Sequence, residues 1–124
     1  MHEIRPCHAY SIEKTTLFYF ITVLFQSGLW GLLNNAGIFG ALGPPEWHTI
    51  DDYKAVAAVN LYGLIDVTVT FLPLVKMARG RVVNTASVAG RCSVPYTTPY
   101  CVTKYGVEAF TDGLRSRVEN VTRV

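Results

Sequence analysis

Two short apolar runs rich in β-formers, 29–33 and 81–86, flank a long stretch whose apolar residues recur at helical spacing, and a second helical stretch follows. This order constrains the fold more than any other feature of the chain. Parallel strands cannot be joined by a tight turn and need a crossover of a dozen residues or more, which a helix of this length supplies. Strand, helix, strand, helix is therefore the grammar of a parallel α/β sheet.

Local signals sharpen each element. The first strand runs directly into Asn34-Asn35-Ala36-Gly37, and the loop beyond it holds Gly37, Gly40 and Gly43 before Pro44-Pro45. The glycines are not spaced as G-x-G-x-x-G and the prolines keep a helix from opening there, so the segment reads as a flexible loop. Thr49 with Asp52 resembles a capping box. From Asp51 the residues Tyr53, Val56, Ala57, Val59, Asn60, Leu64, Val67 and Phe71 share a helical period, which predicts a long helix kinked or ended near Pro73 and finished before Gly80. Ser87 sits at the exit of the second strand. A loop with Pro95 and Pro99 leads to a helix over 100–118, with Val102, Tyr105, Ala109, Phe110 and Leu114 expected on its apolar side.

Residues 1–14 show no periodicity and read as a tail. Residues 15–33 are nearly uncharged but are broken at Gln26-Ser27-Gly28. Their β-branched and aromatic content favours two buried strands, or a helix and then a strand, and membrane association through 15–33 stays open as an alternative.

At 124 residues the chain has the size of one domain, and half of it is apolar, enough for a core. A net charge of +2 without a run of Lys and Arg argues against nucleic acid as a partner. Cys7, Cys92 and Cys101 are odd in number and lack a C-x-x-C pair, while His2, His8 and His48 are scattered, so neither a disulfide scaffold nor a metal site is expected. Cys101 reads as a small packing residue. A reducing, intracellular compartment fits this usage, with cytoplasm, mitochondrion and endoplasmic reticulum unresolved.

The chemistry-bearing pattern is Ser87 followed by Tyr100-x-x-x-Lys104. Four residues apart on a helix, the phenol and the ammonium share one face. A tyrosine side chain ionises near pH ~10, so a phenol that works as a base near neutrality needs such a cation beside it.

Together with Asn34-Asn35-Ala36-Gly37 after a strand and Asn60 within the next helix, in this order and spacing, the chain resembles the middle of a short-chain dehydrogenase/reductase. The stretches 28–31, 72–75, 80–84 and 100–110 are similar to the branch holding retinol, hydroxysteroid and 3-hydroxybutyrate dehydrogenases. The resemblance covers roughly 28 to 118. It implies a partial Rossmann-like, doubly wound parallel sheet, with central strands and helices only. It implies an oxidoreductase that transfers hydride between NAD or NADP and a small-molecule alcohol or ketone. Tyr100 would then move the hydroxyl proton, Ser87 would hydrogen-bond the same oxygen, and Lys104 would favour the phenolate and reach the cofactor ribose. Asn60 would disturb its helix and hold a water in a proton relay. Asn35, Ala36 and Gly37 would shape the floor of the cofactor cleft, with Gly37 allowing close approach. Helices 51–77 and 100–118 would form subunit contacts in a homo-oligomer.

The family's opening strand and Thr-Gly-x-x-x-Gly-x-Gly turn have no counterpart in residues 1–28. The expected organisation is a divergent N-terminal segment, 1–28, and a partial catalytic domain, 29–124. A truncated, catalytically silent fragment acting through association with full-length relatives is the alternative. The sheet would then expose unpaired edges, and 17–25 is a candidate surrogate strand for one of them.

Overall fold

The computed structural model describes residues 27–118. The expectations for residues 1–26, including the surrogate strand and most of the 15–33 run, lie outside the described residues. The order is β1 (Gly31–Asn34), a 3₁₀ turn (Pro45–Trp47), α1 (Ile50–Ala57), a π-helical segment (Ala58–Gly63), α2 (Leu64–Met77), β2 (Arg81–Asn84), a 3₁₀ turn (Val88–Gly90) and α3 (Thr98–Val118).

β1 and β2 pair in parallel, with Leu32 opposite Val82 and Asn34 opposite Asn84. The α/β reading holds, and among the described residues the sheet has these two strands. β1 begins two residues later than the apolar run suggested, because the Leu29 N–H is taken by the Leu74 carbonyl at 3.0 Å. Arg81 N–H on Trp30 O and Thr85 N–H on Asn34 O, both at 2.9 Å, extend the pairing beyond each end of the ladder.

The capping box is present. The Thr49 hydroxyl accepts from Asp52 N–H, and the Asp52 carboxylate accepts from Thr49 N–H at 2.8 Å. From there the helical path is unbroken to Met77 and passes through Pro73. The proline ends nothing, but the helix changes register at Ala58–Gly63, where the i→i+5 pattern marks a π-helical turn around Asn60. Ile50–Met77 is long and apolar enough to cross a bilayer. Here its α2 portion packs against the sheet and buries Leu64, Thr68, Leu74 and Val75, while Val59, Tyr62, Val67, Val69 and Met77 stay exposed.

Side chains alternate across the two faces of the sheet. On one face Leu32, Asn34, Val82 and Asn84 lie under helices α2 and α3. Asn34 donates to Thr68 of α2 and to Asn84, each at 2.8 Å, and Asn84 donates to Thr111 of α3 at 3.0 Å. This strip ties strand, strand and both helices together through side-chain hydrogen bonds. On the other face Leu33 and Val83, directly paired, are 65% and 53% exposed.

The apolar side expected for α3 is corrected by the structure. Val102 and Tyr105 face outward, and the helix buries Cys101, Thr103, Lys104 and Val107. Val59 and Val67 of the first helical stretch are likewise exposed. Periodicity located both helices and, in the first stretch, found the buried Val56, Asn60 and Leu64, but it chose the wrong stripe of α3, whose face toward the strand ends carries polar residues that a hydrophobicity pattern passes over.

Candidate active site

The site lies where the C-terminal ends of the two strands meet the first turns of α3. Lys104 is only 5% exposed. A buried ammonium is costly unless it is hydrogen-bonded, and this one donates to the Thr85 carbonyl at 2.8 Å. Thr85 stands one residue past β2. Its own N–H is held by Asn34 O, and its hydroxyl donates to Asn35 Oδ1 at 2.9 Å. The acceptor for Lys104 is thus fixed by both asparagines of the Asn-Asn-Ala-Gly segment.

Tyr100 lies one helical turn before Lys104, whose ammonium is 5.6 Å from the phenol ring centroid, within cation–π range. The other neighbour of that ring was not anticipated. Phe39 stacks on it with centroids 4.3 Å apart and planes 12° from parallel. The exposed Phe39 comes from the glycine-rich loop after Gly37, where Ile38 and Leu42 stand near it, and nothing local marks it as the partner of Tyr100.

Asn60 is 1% exposed. Its Oδ1 accepts from Ile38 N–H at 2.8 Å, and its Nδ2 donates to Ile38 O at 2.8 Å and to the Thr103 hydroxyl at 3.2 Å. Both amide protons are therefore spent, one on the loop that carries Phe39 and one on the helix that carries Tyr100. Thr103, half of this bridge, is a second residue the sequence reading missed.

Ser87 caps the Val88–Gly90 turn, its Oγ accepting from Ala89 N–H at 3.2 Å. An oxygen that accepts there keeps its own proton free to donate. That turn sits tightly against α3, since a Cβ on Gly90 would lie 2.8 Å from the Lys104 carbonyl oxygen. Asn35, Ala36 and Gly37 are exposed. A Cβ at Gly37 would meet only Asn60 Oδ1 at an ordinary 3.5 Å, so the protein's own packing does not demand glycine there.

Beside β1 a hollow of about 380 Å³ is lined by Leu33, Asn34, Asn35, Ala36, Val59, Gly63, Leu64 and Val67. It touches the asparagine segment but none of Ser87, Tyr100 or Lys104. Tyr100, Lys104 and Asn60 are joined through Thr103, Thr85 and Phe39, and Ser87 borders them through its turn.

Such an arrangement offers a phenol, a fixed cation and a hydroxyl donor near the C-terminal ends of parallel strands. Comparison with known proteins gives the family. Residues 13–122 match the model of the short chain dehydrogenase family. Retinol dehydrogenase 16 of Rattus norvegicus is 58% identical over 90 residues, covering 73% of this chain and 28% of that protein. The mitochondrial D-beta-hydroxybutyrate dehydrogenase of Rattus norvegicus is 52% identical over 90 residues, covering 73% of this chain and 26% of that protein. The chain therefore spans about a quarter of the length of these curated relatives. Among solved structures, a short-chain dehydrogenase of Escherichia coli CFT073 complexed with NADPH superposes with a TM-score of 0.85 at 27% identity, covering 92% of this chain and 48% of that one. On the family match, the sequence identity and the shared fold, the chain belongs to the short-chain dehydrogenase family.

Proposed function

We propose that this chain carries the proton-handling end of an NAD(P)-dependent oxidoreductase that interconverts an alcohol and a ketone or aldehyde, with a retinoid, steroid or hydroxy acid as the substrate class. The observation that carries the reading is the buried Lys104 ammonium, locked on Thr85 O and set beside the Tyr100 ring. A cation buried at this cost, without a carboxylate on it in the described contacts, suits a role in favouring negative charge on the phenol.

Tyr100 would take the proton of the substrate hydroxyl, or return it to the carbonyl oxygen in the reverse direction. Ser87 would donate its free proton to the same oxygen and stabilise charge developing there. Phe39 restricts the Tyr100 ring to one plane, so the hydroxyl is presented in a fixed direction. The family implies a water-holding role for Asn60. With its side-chain amide spent, that role would fall to its backbone carbonyl within the π-helical turn.

The residues present fit the nicotinamide-ribose end of the cofactor. Lys104 and Tyr100 would hold ribose hydroxyls, and the exposed Asn35, Ala36 and Gly37 would floor the cleft, where nothing but ordinary contact fills the space a Cβ at Gly37 would take. The cofactor, when bound, supplies the hydride acceptor or donor. The choice between NAD and NADP falls to residues other than these. The free thiols of Cys92 and Cys101 suit a reducing intracellular compartment.

Titration with NADH, followed by nicotinamide fluorescence, tests this reading. Saturable binding at millimolar cofactor or below, weakened about tenfold in Lys104→Ala, is expected for loss of a charge-assisted hydrogen bond worth roughly 1.5 kcal/mol. Absence of binding at several millimolar would sink it.

A second reading rests on the groove between α1 and α3, lined by Ile50, Tyr53, Ala57, Leu61, Tyr62 and Val102. Ile50, Tyr62 and Val102 are exposed there, as an association surface for another copy or a full-length relative requires. Sedimentation velocity on Val102→Glu separates the readings, since dissociation with cofactor binding intact assigns the groove to assembly alone.

A further inference from the structure

Beyond the dehydrogenase site, the described residues hold two free thiols at either end of one exposed loop, the solvent-facing Cys92 and the buried Cys101. Cys101 follows Tyr100 in the first turns of α3, and its sulfur is not merely packed. Sγ accepts from Val94 N–H at 3.4 Å, lies 3.2 Å from the Thr97 hydroxyl and 3.9 Å from Val94 O. A neutral thiol can donate to the carbonyl, and a thiolate can accept from both donors, so the pocket accommodates either form. Cys92 Sγ sits 3.9 Å from Ser93 O, on the peptide that presents Val94 N–H to Cys101. The two sulfurs are therefore no more than about 10 Å apart by that path, given the fixed dimensions of one peptide unit. Of the residues between them, 93–96 are exposed while Thr97 and Pro99 are buried, so closure has to come from the 93–96 segment.

We propose that Cys92 and Cys101 form a peroxide-responsive cystine. Cys92, at the surface, attacks hydrogen peroxide. The O–O bond breaks, hydroxide leaves and takes a proton to become water, and Cys92 becomes a sulfenic acid. The Cys101 sulfur then attacks the Cys92 sulfur. The S–O bond breaks, the oxygen leaves as a second water with the thiol proton, and the S–S bond forms. Two thiols are oxidised by two electrons and one peroxide is reduced. The bridge draws the 91–97 loop onto the first turn of α3, one residue from Tyr100, and strains the Gly43 N–H bond to Tyr96 O, which stands at 3.0 Å.

Charge at Cys101 supports the second step. Burial pushes this thiol up, but hydrogen bonds from the Thr97 hydroxyl and the Val94 backbone, with smaller contributions from Ser93 and the Cys101 backbone, together hold the group below the ordinary thiol value. A resolving sulfur with more thiolate attacks faster near neutrality.

The test is peptide mapping of the purified protein after a few equivalents of hydrogen peroxide, quenched with iodoacetamide without reductant. Trypsin cuts after Arg91 and Lys104, so both cysteines fall in one peptide. Expected is that peptide unalkylated and lighter by two hydrogens, with closure slowed several-fold in Thr97→Val. In Cys92→Ser, Cys101 should stay a free thiol because it is buried. In Cys101→Ala, Cys92 should be trapped by dimedone as sulfenic acid. Sulfinic acid at Cys92 with Cys101 alkylated, a Cys92–Cys7 bridge, or oxidation of Cys101 unchanged in Cys92→Ser would each overturn the proposal.

Discussion

The two faces of the sheet differ in their polar groups more than in their apolar ones. The covered face carries Asn34 and Asn84 beside Leu32 and Val82, and the buried polar groups around it include Asn60, Thr68, Thr103 and Lys104. Among the described residues every buried side-chain nitrogen or oxygen has a partner. The bare face carries Leu33 and Val83, with Trp30 beyond them also exposed and the Arg81 guanidinium 5.8 Å from its ring. The difference separates two jobs. The polar network makes the covered face specific, because each group fails if its partner is displaced, while the apolar face would gain from any cover and specifies none.

Substitutions can break that contrast, and the largest effect belongs to the covered side. Asn60→Leu strands the Ile38 N–H and C=O, while the Thr103 hydroxyl loses one donor but still donates to the Tyr100 carbonyl at 2.7 Å, so urea unfolding should show a loss of roughly 3 kcal/mol. A loss below about 0.5 kcal/mol would show the network to be decorative. Gly90→Ala forces a methyl against the Lys104 carbonyl and should cost roughly 2 kcal/mol by overpacking, read in the same experiment. Thr85→Val removes one exposed hydrogen bond to Asn35, at about 1 kcal/mol. It should also raise the acetylation rate of Lys104 relative to other lysines, with Thr85→Ser restoring protection. On the bare face, Leu33→Lys should shift stability by less than about 0.5 kcal/mol while raising solubility. If that residue instead proves as costly as Gly90→Ala, the face is covered in solution and the contrast fails.

The smallest expected effect is acid fraying at the start of α1. The backbone N–H of Thr49, and then its hydroxyl, hold the Asp52 carboxyl below the usual carboxylate value. A carboxyl depressed by folding contributes stability above its unfolded value, near pH ~3.9, and loses it as pH falls through the lower folded value. Amide exchange over the first turn of α1 should accelerate below about pH 4, and in Asp52→Asn that dependence should vanish.

How far the sequence could be read follows from the range of each interaction. The capping box, the order of strands and helices and the Tyr100–Lys104 spacing are visible because partners lie within four residues or repeat with the backbone period. Asn60 was expected to disturb its helix, and the π-helical turn Ala58–Gly63 surrounds it. The buried stripe of α3 was misread, since Thr103 and Lys104 are inward for polar reasons while Val102 and Tyr105 are outward despite being apolar. Phe39 and Thr85 escaped notice because nothing near them in the chain announces a partner.

By itself, then, the sequence determined the α/β alternation, the cap and the placing of phenol and ammonium on one helix face, all set by local dihedral periods. Only the tertiary structure decided that Lys104 turns onto the Thr85 carbonyl, that Phe39 lies flat on Tyr100 and that Asn60 clasps Ile38 and Thr103. Those contacts join residues distant in sequence, and their geometry depends on the path of loops and the close approach of α3 to the strand ends, which no local period encodes.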